Sequence, residues 1–429
     1  LAWMHVILAE WLYDREYVDK YAGGLDKLRQ HVADKTPEWA YAATTIPPEK
    51  IVETARFLAG ARPASLVHPG RHVTWYGDDT QRTRAIAILN ALLGSWGHRG
   101  GFFLPAQLPI PQYPYTHYGT EPKPPADAAK GVAYPFADET IASGVCEASI
   151  PNTADYDIKG WLVYGTNLLL ALPDPEKTKR AIQALDLLVA IDVLPAEITG
   201  WADVVLPEAT YLERCDEIDA PPWRVPFAAV RQSVVEPMYD TKPGWWIARE
   251  LAHRIGLADY FPWKDSTEYA MQRVHAAGLD CDVMRRDGVV VGRPVPVTIE
   301  DGIEPSFGTE SGKIEIFSQA LADAGFDPLP NFTPPDEPPP GMFRLLFGRS
   351  PVHTFGRTTN NRFLSEVAST NELWLNRRAA DELGLVDGEK VVVVNQDDVR
   401  SEPLALKSTQ RIRSDCVFMV HGYGHDAPG

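Results

Sequence analysis

The fold is decided by three short strand-like stretches, the first of which is the apolar run that opens Trp161-Leu162-Val163-Tyr164-Gly165-Thr166-Asn167 and ends at Tyr164. The second runs from Leu187 to Ile191, and the third runs from Asp203 to Leu206. Each has the length and composition of a buried strand, whereas the segment from Pro175 to Leu185 has a helical pattern. Buried strands joined by helices form a parallel sheet. The sequence therefore predicts an α/β fold.

Polar residues stand where the first two strands end. Gly165, Thr166 and Asn167 follow the first strand, and Asp192 ends the second. We expect them to be neighbours, because carboxyl ends of adjacent parallel strands meet at one edge, where such sheets bind ligands. Free N–H groups suit a phosphate, and a carboxylate can accept two N–H donors from guanine. The pattern predicts a nucleotide pocket; an ordinary turn and a helix cap are the alternatives.

A donor-rich segment follows another expected strand, Arg344 to Phe347. Its candidate cofactor-binding residues are Arg349, His353, Thr354, Thr359 and Asn361. Guanidinium, imidazole, hydroxyl and amide groups at this density suit a polyanionic ligand that is rich in heteroatoms. A solvated loop is the alternative interpretation.

A glycine-rich turn follows the expected strand Val417 to Val420. It contains His421 and Gly422, and glycine lets the backbone approach a ligand closely. His421 and His425 could bind a metal ion, but hydrogen bonding is the more frequent role of such residues. We therefore assign no metal ligand in this chain.

Two further polar features have weaker patterns. Arg71 follows an expected strand from Ala64 to Val67 and could steady an anionic substrate or developing charge, so it is our candidate catalytic residue. A surface salt bridge is the alternative for Arg71. Glu213 and Arg214 are expected to form a structural ion pair.

Composition excludes several classes of protein. The 429 residues are 45% hydrophobic and 23% charged, as in folded proteins, and no apolar run approaches the length that spans a bilayer. A net charge of −17 argues against a nucleic-acid partner. The four cysteines form no CxxC spacing that would indicate zinc or an iron–sulfur cluster. No strand precedes a GxGxxG turn, which argues against a nicotinamide-dependent oxidoreductase.

The chain is long enough for several domains. We predict an α/β remainder over residues 1–150 and a second α/β domain with β-rich excursions over 151–333. Five of the seven residues 334–340 are proline, so 334–341 is the predicted linker. The predominantly β residues 342–429 are predicted to form a small barrel.

Several motifs together resemble the dimethyl-sulfoxide-reductase family of molybdopterin enzymes. The Gly165 turn, residues 192–199 and residues 202–207 occur in that family's order. Residues 90–101 resemble its glycine-rich segment, and residues 309–315 resemble its S/T-x-S-G-K stretch. Residues 372–388 resemble its C-terminal cofactor-binding domain, so the resemblance covers essentially the whole chain. Within the family, the chain looks most like polysulfide, thiosulfate and tetrathionate reductases, with arsenate reductases and arsenite oxidases as neighbouring options.

The resemblance implies a fold, a cofactor and a set of roles. The fold would be Rossmann-like parallel-sheet domains followed by a double-psi β-barrel, and the cofactor would be two pterin guanine dinucleotides on one Mo or W. Carried over by position, Gly165, Thr166, Asn167 and Asp192 would hold a guanine nucleotide. Arg71 would face the substrate. The residues along the pterins would be His353, Thr354, Thr359, Asn361, His421 and Gly422, with Arg349 as a further cofactor-binding candidate.

The resemblance also raises expectations beyond these residues. The family often has threonines on both sides of a glutamate where this chain has Ala196 and Ile198, so some nucleotide contacts would differ. We expect a [4Fe–4S] segment and the metal ligand upstream of Leu1, the last part of the barrel after Gly429, and no activity from the isolated chain. An iron–sulfur subunit, a membrane anchor and a periplasmic location are expected. The alternative is a degenerate, non-catalytic cofactor-binding subunit.

Overall fold

The computed structural model describes residues 1–70, 77–111, 136, 142–154 and 156–425. The chain divides into two compact units, each assembled from three segments. Unit 1 comprises Leu1–Tyr113, Glu217–Arg231 and Tyr269–Asp336, and unit 2 comprises Pro114–Asp216, Gln232–Glu268 and Glu337–Gly429. The domain boundaries drawn from the sequence stay a prediction.

Helices and strands alternate along much of the described chain. In order they are α1 (Ala2–Ala9), α2 (Arg15–Tyr21), β1 (Ala22–Gly23), α3 (Leu25–His31), α4 (Pro37–Thr44), α5 (Pro48–Gly60), α6 (Asp79–Leu92), α7 (Ala142–Ser149), β2 (Gly160–Tyr164), α8 (Leu168–Ala171), α9 (Pro175–Gln183), β3 (Leu187–Asp192), α10 (Glu197–Trp201), β4 (Val204–Pro207), β5 (Ile218–Asp219), β6 (Phe227–Val230), α11 (Gly244–Arg254), α12 (Ser266–Ala276), α13 (Cys281–Asp287), β7 (Val289–Val291), β8 (Ile314–Glu315), α14 (Gln319–Asp323), β9 (Arg344–Gly348), α15 (Arg362–Ser365), β10 (Glu372–Asn376), α16 (Arg377–Glu382), β11 (Lys390–Val391), β12 (Leu404–Thr409) and β13 (Cys416–Val420). Among the described helices, none is both long and apolar enough to span a membrane.

Unit 1 is built on a helical core. Met4, Ile7 and Leu8 of α1 are almost fully buried, together with Leu28 of α3 and Leu92 of α6. These positions are apolar at helical spacing, so each helix presents one stripe to the others. Two small sheets accompany the helices: β1 pairs with β8 in parallel, and β5, β6 and β7 form an antiparallel sheet.

Unit 2 contains the parallel sheet that the sequence predicts. Strands β2, β3 and β4 lie in that order and are all parallel. Helix α9 lies between β2 and β3 and is capped by Asp174, whose carboxylate accepts a hydrogen bond from the Lys177 amide at 2.9 Å. Trp161, Leu188 and Ile198 are buried in the core of this layer. The α/β fold class is confirmed.

The C-terminal part of unit 2 is a five-stranded mixed sheet. Its order is β11-β12-β10-β13-β9, and β10 runs parallel to β12 and antiparallel to β13. Leu373, Leu375 and Leu406 are buried on one face against Ala380 of α16. The sheet occupies the part of the chain for which a barrel was predicted.

One predicted strand is wrong. Residues 64–67 are irregular, although they are apolar. The Asn90 side chain explains the difference, since it accepts a hydrogen bond from the Val67 amide at 2.8 Å and donates one to the Val67 carbonyl at 2.9 Å. A side chain thus satisfies the backbone groups that a neighbouring strand would otherwise bind.

Candidate functional site

The carboxyl ends of the three parallel strands lie side by side. The amide of Gly165, directly after β2, donates a hydrogen bond to the carbonyl of Ile191 at 2.9 Å. The amide of Glu208, directly after β4, donates to the carbonyl of Asp192 at 2.9 Å. Gly165 has φ +62° and open space where a side chain would begin. Gly165 and Asp192 are therefore on adjacent strands of one edge, as predicted.

Asn167 is held by a glutamate that follows β3. Its Nδ2 donates to Glu197 Oε2 at 2.5 Å, which fixes the orientation of the amide. Its Oδ1 is shielded from solvent and accepts no hydrogen bond from the described residues. A buried acceptor without a donor costs about 1–3 kcal/mol. The amide oxygen is therefore the group at this edge that most needs a donor.

Thr166 and Asp192 lie at the same edge. Thr166 lines a cavity of about 390 Å³ beside β2, together with Trp161, Leu168 and other apolar residues. One carboxylate oxygen of Asp192 accepts the amide of Val193 at 2.7 Å. Both side chains are partly exposed.

A cluster of charged and polar side chains lies beneath this edge and is centred on the buried Glu208. The carboxylate of Glu208 accepts hydrogen bonds from the Tyr164 hydroxyl and pairs with the Arg214 guanidinium. Arg214 also pairs with Asp216 at 2.8 Å. Only 4% of Glu208 is exposed, and a Cβ at Gly244 would lie 2.5 Å from both its carboxylate and the Tyr164 hydroxyl. The cluster therefore leaves room only for glycine at the start of α11.

Burial raises the pKa of Tyr164 to about 12, and the hydrogen bond to Glu208 contributes to the same shift. Tyr164 consequently remains a neutral donor at physiological pH. Glu208 is joined to Tyr164 through its side chain and to Asp192 through its amide. It thus ties together the ends of all three strands.

The predicted ion pair between Glu213 and Arg214 is wrong. Glu213 instead accepts the amides of Thr210 and Met238, each at 2.7 Å. Adjacent residues in a turn direct their side chains apart, so Arg214 reaches Glu208 and Asp216 instead.

The donor-rich segment after β9 uses several of its own side chains to hold its shape. His353 is buried, with Nδ1 3.1 Å from the Thr358 carbonyl and Nε2 2.7 Å from the Ala368 carbonyl. The Thr354 amide donates to the Thr358 hydroxyl at 2.8 Å. Asn361 caps α15 by accepting the amides of residues 363 and 364. His353 and Asn361 therefore shape this loop.

The glycine-rich turn packs closely against the same loop. Gly422 has φ +93°, and a Cβ there would overlap the Phe355 carbonyl and lie 2.8 Å from the Gly356 amide. The Thr359 hydroxyl donates to the Gly422 carbonyl at 2.8 Å. The Phe355 ring lies 5.0 Å from the ring of His421 and 4.3 Å from the Arg349 guanidinium. The structure thus brings Arg349, Thr359, His421 and Gly422 together.

Glu197 and His425 join the strand edge to these C-terminal loops. His425 Nδ1 lies 3.1 Å from Glu197 Oε1, and His425 Nε2 lies 2.5 Å from the Gly356 carbonyl. Both nitrogens face acceptors, so both contacts are hydrogen bonds only when both nitrogens carry a proton. The side chains of His425 and Glu197 are 9% and 12% exposed. The two groups of predicted residues therefore meet through Glu197.

The remaining predicted residue, Arg71, lies outside the described residues. Within the described part of the chain, no group of three or more His, Cys, Asp or Glu residues is arranged to hold a metal ion. The four cysteines are free thiols.

Comparison with known proteins adds the decisive observation. The sequence pattern of the molybdopterin oxidoreductase family matches residues 1–254, and that of the molybdopterin dinucleotide-binding domain matches residues 343–428. The chain belongs to the molybdopterin oxidoreductase family. The resemblance to molybdopterin enzymes that the motifs indicated is confirmed at the level of the family.

Similar proteins share this family. The thiosulfate reductase molybdopterin-containing subunit PhsA of Salmonella typhimurium is 30% identical over 100% of this chain and 61% of its own length. Dimethyl sulfoxide reductase DmsA of Escherichia coli is 26% identical over 98% of this chain and 58% of its own length. The solved structure of acetylene hydratase from Pelobacter acetylenicus has a TM-score of 0.81 and 23% identity, and it covers 98% of this chain and 62% of that one. This molybdopterin oxidoreductase chain thus spans about three fifths of these relatives and shares the fold of acetylene hydratase.

The residues at the two loops fit the organic part of a molybdopterin dinucleotide. No donor among the described residues reaches the buried Asn167 Oδ1, and Gly165 leaves open space beside its backbone. Arg349 supplies a guanidinium, the group best suited to phosphate. Their contacts with a cofactor stay predictions.

Sequence reasoning missed Glu197 and Glu208 as residues of this molybdopterin oxidoreductase site, and it missed the partner of His425. Glu208 is buried and paired with Arg214, whereas Glu197 and His425 are partly buried and paired with each other. The sequence signal was weak, because Glu197 and His425 are 228 positions apart. For Glu208, the available sequence signal was its position directly after a strand that ends in proline, which places its carboxylate at the same sheet edge.

Proposed function

We propose that this chain is part of the catalytic subunit of a molybdenum or tungsten bis-pterin oxidoreductase that reduces polysulfide, thiosulfate or tetrathionate. The observation that carries the proposal is the 30% identity to a thiosulfate reductase subunit along the entire chain. The resemblance of the sequence to polysulfide, thiosulfate and tetrathionate reductases supports the same substrate class.

The bound metal would supply two-electron oxidation and reduction, while the protein binds and orients the reactants. Gly165, Thr166, Asn167 and Asp192 would hold the guanine nucleotide at the strand edge. The loops that contain Arg349 and Gly422 would lie along the pterins, where a guanidinium and exposed N–H groups suit phosphate and heteroatom-rich rings. Arg71 would face the substrate.

The remaining parts of the proposal concern the whole protein. Its [4Fe–4S] cluster and metal ligand would lie in sequence outside these 429 residues, and electrons would arrive through an iron–sulfur subunit and a membrane anchor at the periplasmic face. The chain's coverage of 61% of the thiosulfate reductase subunit is consistent with this division.

The test uses protein produced from the complete coding frame that contains this sequence. With a reduced viologen dye as electron donor, we expect faster dye oxidation with thiosulfate, tetrathionate or polysulfide than with dimethyl sulfoxide or arsenate. Preferential oxidation of the dye by arsenate or dimethyl sulfoxide would contradict the substrate class and leave the family assignment intact.

A further inference from the structure

We infer that Glu197 and His425 are positioning residues that orient the Asn167 amide for a guanosine nucleotide. The inference rests on the proposed nucleotide site and extends it to two residues to which no role has been given. Asn167 would accept a hydrogen bond from the exocyclic amine or the ribose 2′-hydroxyl of the guanosine.

The orientation of Asn167 is set by charge. Glu197 is a carboxylate and can only accept, so the Asn167 group that faces it at 2.5 Å must be Nδ2. Rotating the amide by half a turn would place its oxygen against the carboxylate. Glu197 therefore leaves Oδ1 as the acceptor on the other side, where no described residue donates to it.

His425 holds Glu197 in that position. Its ring bridges the carboxylate at 3.1 Å and the Gly356 carbonyl at 2.5 Å, so it spans the two loops. A paired carboxylate with low exposure loses rotamer freedom, and its direction toward Asn167 becomes fixed. The three side chains thus form one chain of hydrogen bonds from residue 425 to residue 167.

A nucleotide reaches Asn167 Oδ1 only if the loop around it adjusts, because the oxygen is shielded from solvent. Gly165 permits that adjustment, since it has φ +62° and no atom within 4 Å of the position of a Cβ. The binding step would then satisfy an acceptor to which no described residue donates.

The experiment measures binding of guanosine 5′-monophosphate to the full 429-residue chain by isothermal titration calorimetry. Asn167→Ala and Glu197→Ala should each weaken binding about tenfold, the effect of losing one hydrogen bond to a buried acceptor. Glu197→Gln should stay within about threefold of the parent chain, because its amide oxygen still accepts from Asn167. His425→Ala should weaken binding by more than Glu197→Gln and by less than Glu197→Ala.

A double-mutant cycle separates positioning from a general structural effect. If Glu197 acts through Asn167, the double variant Asn167→Ala/Glu197→Ala should bind about tenfold more weakly than the parent chain, not about a hundredfold. A double variant that binds about a hundredfold more weakly than the parent chain would overturn the inference. Unchanged binding by Glu197→Ala would overturn it as well. Should Glu197→Ala fail to fold, the cycle can be run with His425→Ala in its place.

Two analogues identify the donor. Inosine 5′-monophosphate lacks the exocyclic amine, and 2′-deoxyguanosine 5′-monophosphate lacks one ribose hydroxyl. The analogue without the relevant donor should bind the parent chain weakly and be insensitive to Glu197→Ala. An undiminished effect of Glu197→Ala on both analogues would contradict the role of Asn167. Absence of nucleotide binding by the parent chain would overturn the proposed nucleotide site and, with it, this inference.

Discussion

Replacing Glu208 by alanine tests whether the cluster centred on this buried carboxylate holds the three strand ends together. The substitution removes the partner of the Tyr164 hydroxyl and one of the two carboxylates that face Arg214. Breaking a buried ion pair by removing one partner typically costs about 3–5 kcal/mol. Arg214 keeps Asp216 at 2.8 Å and is 19% exposed, so we expect a smaller loss of about 2–3 kcal/mol.

Hydrogen exchange of the amides in β2, β3 and β4 is the appropriate assay, because it reports the local free energy of opening in a chain with two units. The expected loss corresponds to exchange that is about 30- to 150-fold faster. Glu176→Ala is the matched control: its carboxylate pairs with Lys179 in the same unit but is 72% exposed, and it should change exchange little. Equal exchange rates in Glu208→Ala and Glu176→Ala would refute the role given to the cluster.

Three further predictions concern other parts of unit 2. Leu188→Ala removes a side chain that is 1% exposed and should destabilise the parallel sheet by about 2–5 kcal/mol, measured by the same exchange experiment. Gly422→Ala introduces a Cβ that overlaps the Phe355 carbonyl, so limited proteolysis should cleave the loop around residue 355 faster than in the parent chain. The Arg413 hydrogen bond lowers the pKa of Asp415 to about 2, below the model-peptide value of 3.8. The stabilisation by this pair is therefore present above about pH 4 and lost as the pH falls toward 2; the difference in thermal midpoint between the parent chain and Asp415→Asn should shrink over that range.

The regular elements were predictable because their signals are local. Pro48 starts α5, and Ile51 and Ala55 recur at helical spacing on its buried face. The strands β2 and β3 are apolar runs that end in polar turns, and their order in the sheet follows from the helix between them. The same local reasoning failed at residues 64–67, where the distant Asn90 replaces a strand neighbour.

The position of the candidate residues at one sheet edge was predictable, but the pairings among them were not. Gly165, Asn167 and Asp192 were expected at that edge because carboxyl ends of adjacent parallel strands meet there. The partners of Arg214 depend on where β4 places Glu208, which no sequence spacing encodes. The contact between Glu197 and His425 depends on how two distant loops pack within unit 2. Pairings of charged residues between distant parts of the chain emerge only from the folded structure.

Metal and nucleotide analysis of the protein from the complete coding frame tests the central claim most directly. Molybdenum or tungsten is measured by elemental mass spectrometry, and guanosine 5′-monophosphate released by acid hydrolysis is quantified by chromatography. The account predicts one metal atom and about two guanosine monophosphates per protein, since a bis-pterin guanine dinucleotide contains one metal and two nucleotides. Protein that is folded yet contains neither metal nor releasable guanosine monophosphate would contradict the account and favour a degenerate, non-catalytic subunit.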